Sequence, residues 1–157
     1  MAEFLFNEPQ PVYLNQAAVF NSSIPCNRGN VFHADGTGNF ILRGNTPNCF
    51  ARYQVTFNGN IALPEGGTVG PIAVAISVNG ETRPTSRAIV TPAAVEEYFN
   101  VTSTAIITVP RGCCFNVSLR NVPASEDPTA TPAPVINIQN ANLIINPLPE
   151  RRNNAQY

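Results

Sequence analysis

Hydrophobic and polar residues alternate with a period of two along much of this chain. In the run from Tyr53 to Ile61, Tyr53, Val55, Phe57 and Ile61 share one strand face, while Arg52, Gln54, Thr56, Asn58 and Asn60 make the other face polar. The same spacing places Ile72, Val74, Ile76 and Val78 on one stripe, Ala105, Ile107 and Val109 on a second, and Phe115, Val117 and Leu119 on a third. Strands are predicted over 17–21, 29–34, 39–44, 49–63, 70–80, 86–92, 97–110, 113–122 and 135–148. Ile106 falls on the face opposite its apolar neighbours, which marks its strand as covered on both sides or as part of a subunit contact. The last strand changes phase between Ile136, Ile138 and Leu143, Ile145, so a bulge is predicted near Asn140. The pattern predicts an all-β, two-sheet sandwich.

Turn chemistry separates these runs. Asn79-Gly80 is a type I′ hairpin signal, because that turn requires positive φ at both central residues. Pro64–Gly67 and Pro110-Arg111-Gly112 are further predicted turns. A single helix start is indicated at 92–99, with Thr91 as cap and Pro92 at the first position, although the same residues can also enter a strand. The Pro-, Ala- and Thr-rich segment 123–134 reads as an exposed loop. Residues 1–16 carry Phe4, Phe6 and Tyr13 among prolines without sustained alternation; they are predicted to form a docking arm, with these three rings as its anchors. The core domain is then 17–148 and a polar tail occupies 149–157.

Composition narrows the functional classes. The 157 residues suit one domain; 43% are hydrophobic but only 12% charged, lysine is absent, and the formal net charge is -1. That balance gives no electrostatic reason to expect nucleic acid. A surface so poor in charge suits one that is covered by neighbours or must stay inert. With 15 Pro and 10 Gly, long helices are not expected. The first residues lack the basic and apolar segments of a secretory signal, and no stretch reaches membrane-spanning length, so synthesis in a cytoplasm without membrane insertion is expected.

Chemistry-bearing residues are few. Cys26, Cys49, Cys113 and Cys114 are the disulfide candidates; their spacing matches no paired zinc knuckle. Neighbouring residues on a strand point to opposite faces, so Cys113 and Cys114 would need separate partners, with Cys26 and Cys49 available. Free buried thiols are the second reading and a metal site the third. His33 and Asp35 lie near a Gly-rich turn, but one Asp is a poor start for a calcium site and no metal is assigned. Glu96-Glu97 cannot converge on one atom from a strand, and no serine sits in a nucleophile motif. Neither catalytic residues nor a cofactor are expected, and no enzyme. Three Asn-x-Ser/Thr matches, at Asn21, Asn100 and Asn116, are the chance yield of an Asn-rich chain.

The order of motifs resembles a known family. GNFILRGNTPNCFARYQVTF, then the strand ending Val78-Asn79-Gly80-Glu81, then Thr108-Val109-Pro110-Arg111-Gly112, then Phe115–Leu119 and the closing Asn140–Leu148 together resemble the C-terminal heads of bacterial and phage collagen-like proteins. Those heads share the C1q/tumour-necrosis-factor jelly roll and form trimers. The likeness spans about residues 38–148 and is carried by pattern. Versions with the paired cysteines after Pro-Arg-Gly resemble small phage and prophage proteins of gut Firmicutes; a collagen stalk is missing, and Arg111–Cys114 replaces the usual Ala-Gly-Asp turn.

The resemblance implies a homotrimer. Ala73, Ala75 and Ser77 are its close-approach candidates, and Phe40, Tyr98 and Phe99 its aromatic contacts. It further implies a structural virion protein, a capsid decoration or head-fibre component made in the host cytoplasm, held to a major capsid or other virion protein by the arm and touching host surface glycans. The alternatives are a head domain on a bacterial cell or spore surface and a carbohydrate-binding module.

Overall fold

The computed structural model describes residues 1–24, 29–127 and 134–149. Two six-stranded antiparallel sheets face each other across one core. The strands are β1 (Ala2–Phe6), β2 (Gln10–Val12), β3 (Ser22–Ser23), β4 (Val31–His33), β5 (Phe40–Arg43), β6 (Phe50–Ala62), β7 (Ile72–Val78), β8 (Glu81–Thr82), β9 (Ala88–Val90), β10 (Phe99–Pro110), β11 (Cys114–Val122) and β12 (Ile136–Leu148). One sheet runs β10-β6-β12-β1-β3, with β2 also paired to β12; the other runs β4-β5-β11-β7-β8, with β9 also paired to β7. This is a jelly-roll sandwich.

Alternation explains the core. Tyr53, Val55, Phe57 and Ile61 of β6 are buried, as are Ile72, Val74, Ile76 and Val78 of β7, and they meet Ile107, Val109, Leu119, Leu143 and Ile145 between the sheets. Asn79 and Gly80 take φ of 51° and 85°, the left-handed pair that a type I′ turn demands. Around Asn140, φ 52°, the β12–β6 register shifts between Gln139 and Asn142, which is the predicted bulge. It returns Ile136 and Ile138 to the same interior as Leu143 and Ile145.

The N-terminal segment departs from expectation. β1 is inserted between β12 and β3, with Ala2 opposite Ile145 and Phe6 opposite Ala141. Phe4 is fully buried, edge-on to Phe40 at 4.7 Å and to His33 at 4.9 Å, and Phe6 packs against the same core. Phe4 is structural and not free to anchor the protein to a support, while Phe6 is partly buried. Tyr13 is 55% exposed. Gln10 is buried because its side-chain amide copies a strand edge: Oε1 accepts from Val19 N at 2.9 Å and Nε2 donates to Val19 O at 3.0 Å. Residues 17–21, predicted as a strand, make only isolated bridges from Ala17 to Arg120 and from Phe20 to Thr37.

The predicted helix does not form. Glu97 Oε2 accepts from the N–H groups of Ala93 and Ala94, as a first-turn carboxylate would. Glu96 then turns left-handed at φ 58° and donates its N–H to Leu63 O at 2.8 Å, which ends the turn before a second can begin. Pro84–Ser86 form a single 3₁₀ turn.

Candidate functional site

The outer faces of the two sheets differ in kind. On the β7 side, Ala73, Ala75 and Ser77 are fully buried already, the two alanines packing with Val122 beneath Ala124 of the 123–127 segment. An ion pair from Arg87 Nη2 to Glu126 Oε1, 3.5 Å, crosses from the β9 side to the same segment. The small side chains do admit a close layer, but that layer is the chain's own. These three residues therefore cannot form a trimer contact, and neither can Phe40, which lies at the centre of the aromatic cluster with Phe4, Phe20 and His33. Tyr98 is 37% exposed and Phe99 half-buried at the start of β10.

On the other sheet the face of β10, β6, β12 and β1 is open, and its register arranges side chains in rows. Thr102, Asn58, Asn142 and Leu5 make one row, and Thr104, Thr56, Ile144 and Glu3 the next. Ile106, Gln54 and Asn146 make a third, then Thr108, Arg52 and Leu148. Hydrogen bonds tie the rows: Asn100 Nδ2 donates to Asn60 Oδ1 at 3.2 Å, Thr102 Oγ1 to Asn58 Oδ1 at 3.3 Å, and Thr104 Oγ1 to Val55 O at 3.1 Å. Asn142 Nδ2 donates to Glu3 Oε1. The charged side chains at outward positions of these four strands are Arg52 and Glu3. Ile106 stands 49% exposed among them. A hydrogen-bonded, nearly uncharged platform with a projecting isoleucine has little desolvation to overcome when another protein surface covers it.

The three described cysteines gather at one end of the sandwich. Pro110-Arg111-Gly112-Cys113 turns with Gly112 at φ 81°, and Cys113 N donates to Pro110 O at 3.0 Å. Gly44 N donates to Cys113 O at 2.8 Å, and Gly112 N to Gly44 O at 3.0 Å. Cys49 O accepts from Arg111 N at 2.9 Å, and Cys114 faces Arg43 across the β11–β5 pair. Cys49, Cys113 and Cys114 are exposed free thiols. The expected bond from Cys113 or Cys114 to Cys49 is thus not made, and the alternative partner Cys26 lies outside the described residues. Free but exposed thiols also differ from the buried ones anticipated.

Neither His33 nor the glutamates form a reactive centre. His33 is buried and stacked on Phe40 at 4.2 Å, its Nδ1 2.9 Å from Asn39 O and its Nε2 3.1 Å from Phe20 O, so both ring nitrogens are occupied by backbone. Glu97 is committed to the 93–94 turn. Among the described residues, no three His, Cys, Asp or Glu side chains are grouped to hold a metal ion. The sequence marked Ile106 by its misplaced apolarity, yet it did not distinguish the open polar platform from the covered alanine face.

No protein-family model and no curated protein matches the chain. Among solved structures, it is similar to the globular domain of zebrafish complement 1qA protein, at 13% identity and TM-score 0.57, over 96% of this chain and 97% of that one. A further match is the C-terminal domain of EclA, described as a sugar-binding protein, at 15% identity and TM-score 0.41, over 90% of this chain and 79% of that one. The first likeness shows the fold, a C1q-like jelly roll.

Proposed function

We propose that this protein is a non-catalytic, self-associating head domain, a homotrimer in which copies meet through the open face of the β10-β6-β12-β1 sheet. The observation that carries this reading is the platform itself: rows rich in Asn and Thr with Asn60–Asn100, Asn58–Thr102 and Thr56–Thr104 side chains bonded in pairs, Ile106 projecting, and charge confined to Arg52 and Glu3. These two charges have opposite signs and sit on different strands, β6 and β1, so a head-to-tail contact between copies brings unlike charges together. Head-to-tail contacts that close form rings. The trimer number comes from the resemblance to the C1q/tumour-necrosis-factor jelly roll, and the interface from the platform.

The ends of the sandwich set what such a head displays. The chain enters β1 at Ala2, opposite Ile145, and leaves β12 at Leu148, opposite Arg52, both towards the cysteine end. The connections 63–71 and 91–98 and the segment 123–127 lie at the other end, so a head held at the cysteine end projects them. In this reading the domain is a structural component of a virion surface, with a bacterial cell or spore surface as the alternative setting. Phe4, being fully buried, has no part in attachment; Tyr13 and the partly buried Phe6 are left for it.

Light scattering of the wild-type protein at micromolar concentration should give a trimer, and Ile106→Asp should give a folded monomer with an unchanged far-ultraviolet circular dichroism spectrum. A wild-type protein that remains a stable monomer at that concentration overturns the proposal.

A further inference from the structure

We propose that the notch between the 43–46 loop and the 111–114 turn is a thiol-exchange site, where Cys113 or Cys114 takes up a small disulfide bearing carboxylate groups. The notch measures about 380 Å³ and is lined by Arg43, Arg111, Cys113 and Cys114, with Gly44, Gly112, Asn45 and Thr46 completing its wall. That volume lies within the range of small-molecule sites. No Asp or Glu is among the lining residues, so two arginines and two cysteines share one concavity without an opposing carboxylate. Both sulfurs are free and exposed.

The frame around them is rigid. Gly44 holds the turn by two backbone hydrogen bonds, to Cys113 at 2.8 Å and from Gly112 at 3.0 Å. Arg111 Nη1 donates to Pro47 O at 3.3 Å, which draws its guanidinium over the 43–48 segment. A side chain larger than hydrogen at position 44 would overlap the Pro110 carbonyl. The sequence therefore keeps two arginines beside two thiols on a fixed backbone, with no internal bond consuming the sulfurs. Planar guanidinium groups pair with carboxylates through two parallel N–H donors, which gives an anionic disulfide both attraction and orientation.

The exchange itself needs no further reagent. A thiol of the notch loses its proton to solvent and the thiolate attacks one sulfur of the incoming disulfide. The protein–ligand S–S bond forms as the ligand's own S–S bond breaks, and the departing thiolate takes up a proton. The protein sulfur is oxidised and the leaving sulfur reduced.

The test compares three disulfides on the intact wild-type protein: the anionic dithiobis(nitrobenzoate), the neutral dithiodipyridine and the cationic cystamine. Mass mapping follows each cysteine in time, and rates at Cys113 and Cys114 are divided by the rate at Cys49, which is exposed but lies outside the notch lining. At low ionic strength the ratio should be roughly three- to tenfold higher for the anionic than for the neutral reagent and lowest for the cationic one, since each nearby cation attracts an anion in water by about the thermal energy. Salt at about 0.5 M should flatten the series, and so should Arg43→Gln with Arg111→Gln. Equal ratios for the three reagents, or a preference that survives both salt and the double substitution, overturn the proposal. The salt arm decides the matter even where the double variant does not fold.

Discussion

Replacing Phe4 with alanine tests whether the first strand belongs to the core or decorates it. The ring is fully buried and meets Phe40 at 4.7 Å and His33 at 4.9 Å, both edge-on, while its backbone faces Leu143 on one side and Ser23 on the other. Truncating a buried phenylalanine to alanine costs roughly 3–5 kcal/mol, from lost transfer energy and from the cavity left behind. Edge-to-face pairing adds to the upper part of that range. A domain of this size has of the order of 5–15 kcal/mol in total, so the loss is a large share of it. With a urea slope of about 2 kcal/mol per molar, the unfolding midpoint should fall by about 2 M, and the melting temperature by about 10 °C. Circular dichroism against urea, at one fixed protein concentration so that self-association is held constant, reads both states. A midpoint within about 0.3 M of wild type, below the ~0.5 M that a 1 kcal/mol change would produce, would refute the reasoning and restore residues 1–16 as a dispensable arm. Deleting residues 2–13, harmless for an arm, should here abolish cooperative unfolding.

Three other substitutions probe separate features. Gly44→Ala places a methyl group against the Pro110 carbonyl, a backbone atom that cannot swing aside; a loss of about 3 kcal/mol or more in urea melts is expected. At the bulge, where Asn140 has φ 52°, Asn140→Gly should be near neutral and Asn140→Val should cost about 1–2 kcal/mol, because a β-branched residue resists the left-handed region. Tyr53 donates its hydroxyl to Arg43 O at 2.6 Å, and burial raises its phenol above the ordinary 10.0. The folded state therefore holds this proton more tightly than the unfolded chain does. Its contribution is complete below the ordinary value and is lost as pH rises through the raised one. Tyr53→Phe should cost about 1 kcal/mol at neutral pH, for the hydrogen bond, and should remove this part of the alkaline decline in a stability–pH series.

The long strands were legible because each carries its own instruction. From β5 to β12, apolar side chains at every second position need only one covered face to explain them, and turn pairs such as Asn79-Gly80 state where the chain reverses. The bulge was legible for the same reason, since a phase change in the pattern has few other causes. What escaped was written in distant partners. Phe4 gains its neighbours from β12 and β5, and Gln10 is acceptable in the interior only because Val19 satisfies both ends of its amide. The 92–99 segment has sound local helix signals, but Leu63 O captures the Glu96 N–H and ends the turn. Small residues at 73 and 75 reported correctly that something lies close above β7, without saying that it is Ala124 of the same chain. At the cysteine end, spacing alone offered partners for the thiols, while the turn geometry that places Arg43 and Arg111 beside them exists only once β5, β10 and β11 are assembled.

The pairing of β1 with β12 also has a consequence for synthesis on the ribosome. Ala2 lies opposite Ile145 and Phe4 opposite Leu143, so the domain's first strand must wait for its last before its main-chain groups are satisfied on that side. Until residues 136–148 have cleared the exit tunnel, β6 also lacks its β12 neighbour, and this sheet stays open in its middle. Pairings of such long sequence separation are slow to form and leave strand edges exposed meanwhile. The domain is thus held in an unfinished, associative state for most of its own synthesis, and a stop codon anywhere before β12 yields a product without a closed sheet rather than a smaller version of the same domain.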